Sequence, residues 1–105
     1  IVIITDANSA SAAEIMAACF KENYKNIKIV GETTYGKGTV QKVIDLKSGS
    51  SIKYTTQKWL TPKGNTINGV GVKPDVVVER SEEYINNPTR DNDTQLKKAI
   101  EIIKQ

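Results

Sequence analysis

The sequence contains no histidine and a single cysteine, Cys19. The first absence removes the commonest general base, and with it every Ser/His or Cys/His route to nucleophilic catalysis. Together the two exclude ordinary structural zinc sites, and a lone cysteine forms no internal disulfide framework. Cys19 lies on the apolar face of a helical pattern and reads as a small core residue, not a nucleophile. No stretch approaches the roughly 18 to 20 consecutive apolar residues that cross a bilayer, so the chain carries no membrane segment. A strong excess of one charge sign is also missing. Lys and Arg total 15 against 12 Asp and Glu, a net charge of +3. Acidic residues fall between the basic ones, which argues against nucleic acid as a partner.

What is present fits one small globular unit: 105 residues, 38% hydrophobic and 26% charged, enough for a single core and no second domain. Ile1-Val2-Ile3-Ile4 has neither an initiator Met nor a charged leader, and is expected to be an interior strand of something longer. The apolar run Ile1–Thr5 reads as a strand buried on both faces, ending at Asp6-Ala7-Asn8-Ser9. Ala12, Ile15, Met16, Cys19 and Phe20 recur at helical spacing and predict a core-facing helix from about Ser11 to Tyr24. A second strand, Ile27 to Val30, closes at Gly31, so the opening is strand, helix, strand with a parallel crossover. Thr39–Leu46 and Ser51–Leu60 flank Lys47-Ser48-Gly49-Ser50 as a hairpin. Gly69 to Asp75 is a loop, Val76–Val78 a short buried strand, and residues 80–90 are polar and irregular. Asp91-Asn92-Asp93 then caps a helix whose Leu96, Ala99, Ile100 and Ile103 share a face. That acidic run lacks the glycine and terminal glutamate of a calcium loop, so capping is the better reading.

Two positions invite a chemical reading beside an ordinary one. Ser11 sits where a strand-loop-helix junction places the first turn of a helix. Its hydroxyl and the Ala12 amide suit acyl transfer there, because unpaired amides and the helix dipole stabilise a developing oxyanion. Ser11-Ala12-Ala13-Glu14 equally fits a capping box, which does no chemistry. Lys37, between Gly36 and Gly38, reads either as a solvated loop lysine or as an amine brought against another element and desolvated, which favours its neutral, basic form. Tyr35, Thr39 and Gln41 are candidates to orient it. On an extended strand Gln41 lies about 13 Å from Lys37 by Cα, so direct contact requires a compact turn.

Taken together, Ser9-Ala10-Ser11-Ala12-Ala13-Glu14-Ile15 and Val30-Gly31-Glu32-Thr33-Thr34-Tyr35-Gly36-Lys37-Gly38-Thr39-Val40-Gln41 resemble the carboxy-terminal processing peptidases, or tail-specific proteases. Leu60-Thr61-Pro62-Lys63-Gly64, Gly69-Val70-Gly71-Val72-Lys73-Pro74-Asp75 and Asp93-Thr94-Gln95-Leu96 resemble that family's later landmarks, in the same order. The resemblance implies Ser11 as nucleophile, Lys37 as general base, Gln41 positioning that lysine, and the Ala12 amide as one oxyanion donor. Ser9 is then structural, and Glu22 belongs to the scaffold. It further implies an α/β fold of the ClpP/crotonase type, a mixed sheet with flanking helices, of which residues 1–105 form the C-terminal part of a catalytic domain. The PDZ domain and the upstream glycine-rich strand that supplies the second oxyanion donor are absent, so the fragment is expected to be inactive alone.

The activity implied is endopeptidase cleavage of proteins bound by their C-terminal tails, without metal or organic cofactor, outside the cytoplasm; the oligomeric state is left open. Two departures from the pattern are Ala13, in place of a frequent serine, and about one extra residue between Glu14 and Lys37. Competing readings are a non-catalytic peptide-binding module of the same fold, working by β-augmentation, and acyl-CoA chemistry borrowed from fold likeness alone, in which Ser11 and Lys37 have no part.

Overall fold

In the computed structural model, which describes residues 1–105, the chain builds two separate sheets. Strands β1 (Val2–Thr5), β2 (Lys28–Gly31) and β5 (Val76–Val77) form a parallel sheet in the order β1-β2-β5. Val2 pairs with Lys28 and Thr5 with Gly31, and Val30 pairs with Val76. Between β1 and β2 runs helix α1 (Ala12–Asn23), with Ser11 and Tyr24 at its caps. Parallel neighbours require such a crossover, because a tight turn reverses the chain. Strands β3 (Thr39–Asp45) and β4 (Ser51–Lys58) make an antiparallel hairpin. Helix α3 (Thr94–Ile103) packs on β1 and β2. Its first turn is capped by the Asp93 carboxylate, which accepts from the Leu96 amide at 2.9 Å, as the acidic run predicts.

Only the middle strand is buried on both faces: Ile29 and Val30 are both 0% exposed. Strand β1 is an edge strand, so Ile1 and Ile4 remain exposed despite the uninterrupted apolar run. Val77 of β5 is exposed for the same reason. The core joins Ala17, Ala18, Ile29, Ile67 and Val72, with Ile3 and Ile15 packed against it. The buried stripe of α1 is therefore Glu14, Ala17 and Ala18, while Ala12 and Met16 face outward. This rotates the helix from the orientation its large apolar residues suggest. Small alanines let the helix axis come close to the sheet, and a buried carboxylate needs donors that only the interior loops supply.

The polar stretch after β5 is more ordered than its composition predicts. Ser81 caps a short helix α2 (Glu82–Asn86), its hydroxyl accepting from the Tyr84 amide at 3.2 Å. The β3–β4 hairpin is exposed on both faces apart from its first two residues. It projects from the rest, and the radius of gyration of 17.0 Å exceeds the roughly 13 Å of a compact chain of this size. Lys42, Lys47, Lys53 and Lys58 lie on this arm with Asp45 as its only acid. The positive charge is thus less evenly spread than the linear sequence suggests.

Candidate active site

Loops at the carboxyl ends of β1 and β2 converge beside the N-terminus of α1, the place where open parallel sheets present their functional groups. The first loop, Asp6 to Ala10, hands the chain to Ser11. Ser11 has φ 57° and ψ −120° and is the one non-glycine residue with positive φ. A side chain held in that region costs on the order of 1 to 3 kcal/mol and persists only where the surroundings enforce it. Ser11 thus sits on a sharp strand-to-helix elbow. The spacing of a capping box is present, and the Glu14 carboxylate accepts from the Ser11 amide at 2.8 Å, but the Ser11 hydroxyl makes no side-chain cap bond. Nor does the Ala12 amide, first in the helix, donate within the protein. A hydroxyl and a free amide are therefore adjacent at the positive end of a helix.

The second loop, Thr34 to Gly38, is fastened to the first by one buried side chain. Glu14 is 0% exposed, and its two oxygens receive four donors. Oε1 accepts from the Thr34 hydroxyl at 2.5 Å and the Gly36 amide at 2.6 Å. Oε2 accepts from the Ser11 amide at 2.8 Å and the Lys37 amide at 2.9 Å. One oxygen is shared by the backbones of Ser11 and Lys37, so their nitrogens lie within roughly 6 Å of each other, the two bonds laid end to end. Burial pushes the Glu14 carboxyl up, but the bonds from Thr34, Gly36, Ser11 and Lys37 outweigh it and hold the group below its ordinary value. A second tie, from the Tyr35 amide to the Ser9 carbonyl, measures 2.9 Å.

A third loop, 68–72, closes behind the second. The Thr34 hydroxyl accepts from the Val72 amide at 2.7 Å, and the Gly38 amide donates to Asn68 Oδ1 at 3.3 Å. A Cβ on Gly38 would lie 2.5 Å from the Asn68 nitrogen, so the glycine beside Lys37 does allow the close approach its position suggested. At Gly71, φ is 73° and a Cβ would collide with the Thr34 carbonyl oxygen. Gly64 has a similar φ of 82° but nothing within 4 Å of its Cβ. Gly71→Ala is accordingly expected to destabilise the protein by about 2 to 3 kcal/mol, and Gly64→Ala by about 1 kcal/mol. Thermal unfolding of the two variants side by side checks this difference.

The remaining predicted residues are placed as follows. The Lys37 side chain is exposed, and its amine makes no hydrogen bond within this chain. Gln41 is exposed on β3, opposite Thr55. The register shifts between Val40 and Gln41 because β4 carries the extra residue Thr56, whose hydroxyl donates to the Val40 carbonyl at 3.3 Å. That irregularity lies on the partner strand and does not fold Gln41 back on Lys37. Glu22 holds the 61–65 turn against α1, accepting from the Lys63 amide at 2.8 Å and the Asn65 side chain at 3.3 Å. A hydrogen bond from Thr61, followed by these, keeps its carboxyl below the ordinary value. No group of three or more Cys, Asp or Glu side chains is placed to hold a metal ion, and no helix is long and apolar enough to cross a membrane.

Residues 1–78, which span both loops and the elbow, match the model of peptidase family S41. The chain belongs to that family. It is 40% identical over 100 residues to the carboxy-terminal processing protease CtpB of Bacillus subtilis, covering 95% of this chain and 20% of that protein. It is 46% identical over 77 residues to a Staphylococcus aureus protein named a probable CtpA-like serine protease, covering 73% of this chain and 15% of that one. Among solved structures, a photosystem II D1 C-terminal processing protease aligns with TM-score 0.67 and 41% identity over 74% of this chain and 20% of its own. CPAF complexed with lactacystin aligns with TM-score 0.74 over 98% of this chain and 20% of its own, at 18% identity, a likeness of fold alone. The S41 segment thus has the α/β fold of these protease domains, and it spans about a fifth or less of the length of the curated relatives it matches.

Within this S41 frame, Glu14 is the residue whose part in joining the two loops sequence reasoning undervalued. Its spacing from Ser11 was visible, but a capping box accounts for only one of its four donors. Thr34, Gly36 and Lys37 lie 20 to 23 residues further on, and no local pattern joins them to it.

Proposed function

We propose that the protein carrying this S41 segment is a serine endopeptidase that cleaves near protein C-terminal tails through an acyl-enzyme on Ser11, with Lys37 as general base. The observation that supports it best is the Glu14 oxygen shared by the Ser11 and Lys37 amides. It brings together two residues that lie 26 positions apart in a chain without histidine.

In the reaction, the neutral Lys37 amine takes the Ser11 proton as Oγ attacks the scissile carbonyl carbon. The Ala12 amide donates to the oxyanion. Collapse breaks the C–N bond, and the ammonium of Lys37 returns its proton to the leaving amine. Water, deprotonated by Lys37, then hydrolyses the ester and restores Ser11. A lysine base must be shielded from water to be neutral. Lys37 is exposed in this chain, so the reading assigns its cover, the second oxyanion donor and the tail-binding PDZ domain to the part of the longer relatives that this chain does not span. Gln41 positions the amine in that covered state. The names of the relatives support action on C-terminal tails, and the family likeness is what supports a parent that acts outside the cytoplasm.

A fluorophosphonate probe, which phosphonylates an activated serine with loss of fluoride and then resists hydrolysis, tests the nucleophile. The full-length protein is expected to be labelled on the peptide containing Ser11, and Ser11→Ala to remain unlabelled. Equal labelling of both proteins, or none of the folded wild type, turns the assignment toward the peptide-binding module.

A further inference from the structure

The Asp6–Ser9 turn that leads into Ser11 is held by a second cluster, separate from Glu14. Arg80, just beyond β5, reaches back across the ends of all three parallel strands. Its Nη1 lies 3.4 Å from Asp6 Oδ2 and its Nη2 3.5 Å from Glu32 Oε2, and its own amide donates to Glu32 Oε1 at 3.3 Å. Both carboxylates use their other capacity on the turn. Asp6 Oδ1 accepts from the Asn8 amide at 2.9 Å and the Ser9 hydroxyl at 3.1 Å, and Glu32 Oε2 accepts from the Ala7 amide at 3.0 Å. The Ser9 carbonyl in turn receives the Tyr35 amide of the Lys37 loop.

Stability alone is a poor account of this arrangement. Partly exposed ion pairs contribute little to stability, while the Arg80 Nε is buried without a partner, which opposes it. What the cluster does achieve is geometric. Four consecutive residues, Asp6 to Ser9, are each bonded into it or through it, and the elbow begins two residues later.

We propose that Arg80 is a positioning residue for the Ser11 nucleophile: by gripping Asp6 and Glu32 together, it fixes the turn that sets the Ser11 elbow. The inference rests on the reading of Ser11 as nucleophile. A slack turn displaces the hydroxyl from its base without removing any group that binds substrate, and small displacements of reacting groups are costly in rate.

The test uses the full-length protein, steady-state cleavage of a peptide and the rate of fluorophosphonate labelling at Ser11. Arg80→Gln is expected to lower kcat by about 10- to 100-fold with KM unchanged, and to slow labelling by the same factor. Arg80→Lys, which reaches one carboxylate at a time, is expected to restore part of both. Asp6→Asn keeps the Oδ1 acceptor but breaks the ion pair. It should reproduce part of the loss, and adding it to Arg80→Gln should cost little more, because the two act as one unit. Labelling of folded Arg80→Gln at the wild-type rate overturns the inference and leaves Ser11 standing. So does a loss of labelling that only matches the unfolded fraction seen by circular dichroism in both Arg80→Gln and Asp6→Asn. Absence of labelling in the wild type removes the nucleophile and the inference with it.

Discussion

In the full-length protein, Lys37→Ala is expected to lower cleavage of an unstructured substrate with an apolar C-terminus by about 10²- to 10⁴-fold, the usual worth of a general base. Ser11→Ala should cost as much or more, since without the hydroxyl there is no acyl-enzyme. Lys37→Arg separates the base from a mere positive charge. Arginine keeps the charge and nearly the reach, but its guanidinium stays protonated at any working pH. The arginine variant should therefore be as inactive as the alanine one. The check is kcat/KM for the four proteins, with circular dichroism to confirm that each is folded. An active Lys37→Arg protein shows that the residue acts electrostatically and that the proton goes elsewhere.

The largest expected effect on stability belongs to Glu14. Removing one member of a buried, hydrogen-bonded charge cluster costs about 3 to 5 kcal/mol, and Glu14→Ala leaves the donors of Ser11, Thr34, Gly36 and Lys37 without their acceptor. Glu14→Gln is nearly isosteric yet is expected to fare little better. It offers one oxygen and one NH₂ group, and whichever way it turns, the NH₂ faces two donors.

The pH dependence follows from the direction of the shift. The folded state holds the Glu14 carboxyl below its ordinary value of 4.5. Its contribution is thus fully present above that value and is lost as pH falls through the lower, folded one. The stability advantage of wild type over Glu14→Gln should be constant near neutrality and shrink below about pH 4.5. Hydrogen exchange of the segments containing Ser11 and Lys37, corrected for intrinsic rates, locates the effect. Both segments should lose protection together in the variant. A loss confined to the start of α1 reduces Glu14 to an ordinary helix cap.

Legibility in the sequence tracked the range of the interaction. The apolar runs before Asp6 and Gly31, the hairpin around Lys47 to Ser50 and the Asp93 cap were readable because each is set by neighbours in the chain. The inward face of α1 was not. Periodicity pointed to Ala12, Ile15, Met16, Cys19 and Phe20; Ile15 does pack against the core, but Ala12 and Met16 are exposed and Glu14, Ala17 and Ala18 are the buried residues, because what a helix turns inward depends on what it meets. Helix α2 was hidden by a polar composition that its Ser81 cap overrides.

The sequence by itself determined that this chain offers no histidine as a base, that Ser11 opens a helix, that Lys37 lies between glycines permitting close backbone approach, and which family the chain resembles. Each of these rests on residue identity or on spacing within a few positions. Only the tertiary structure decided that Ser11 takes a positive φ, that a single Glu14 oxygen ties its amide to that of Lys37, and that Arg80 closes the ends of three strands around the preceding turn. Hydrogen bonds and ion pairs act over about 3 to 4 Å, so partners 20 to 74 residues apart acquire a relation only once the sheet and its crossover have brought their loops together.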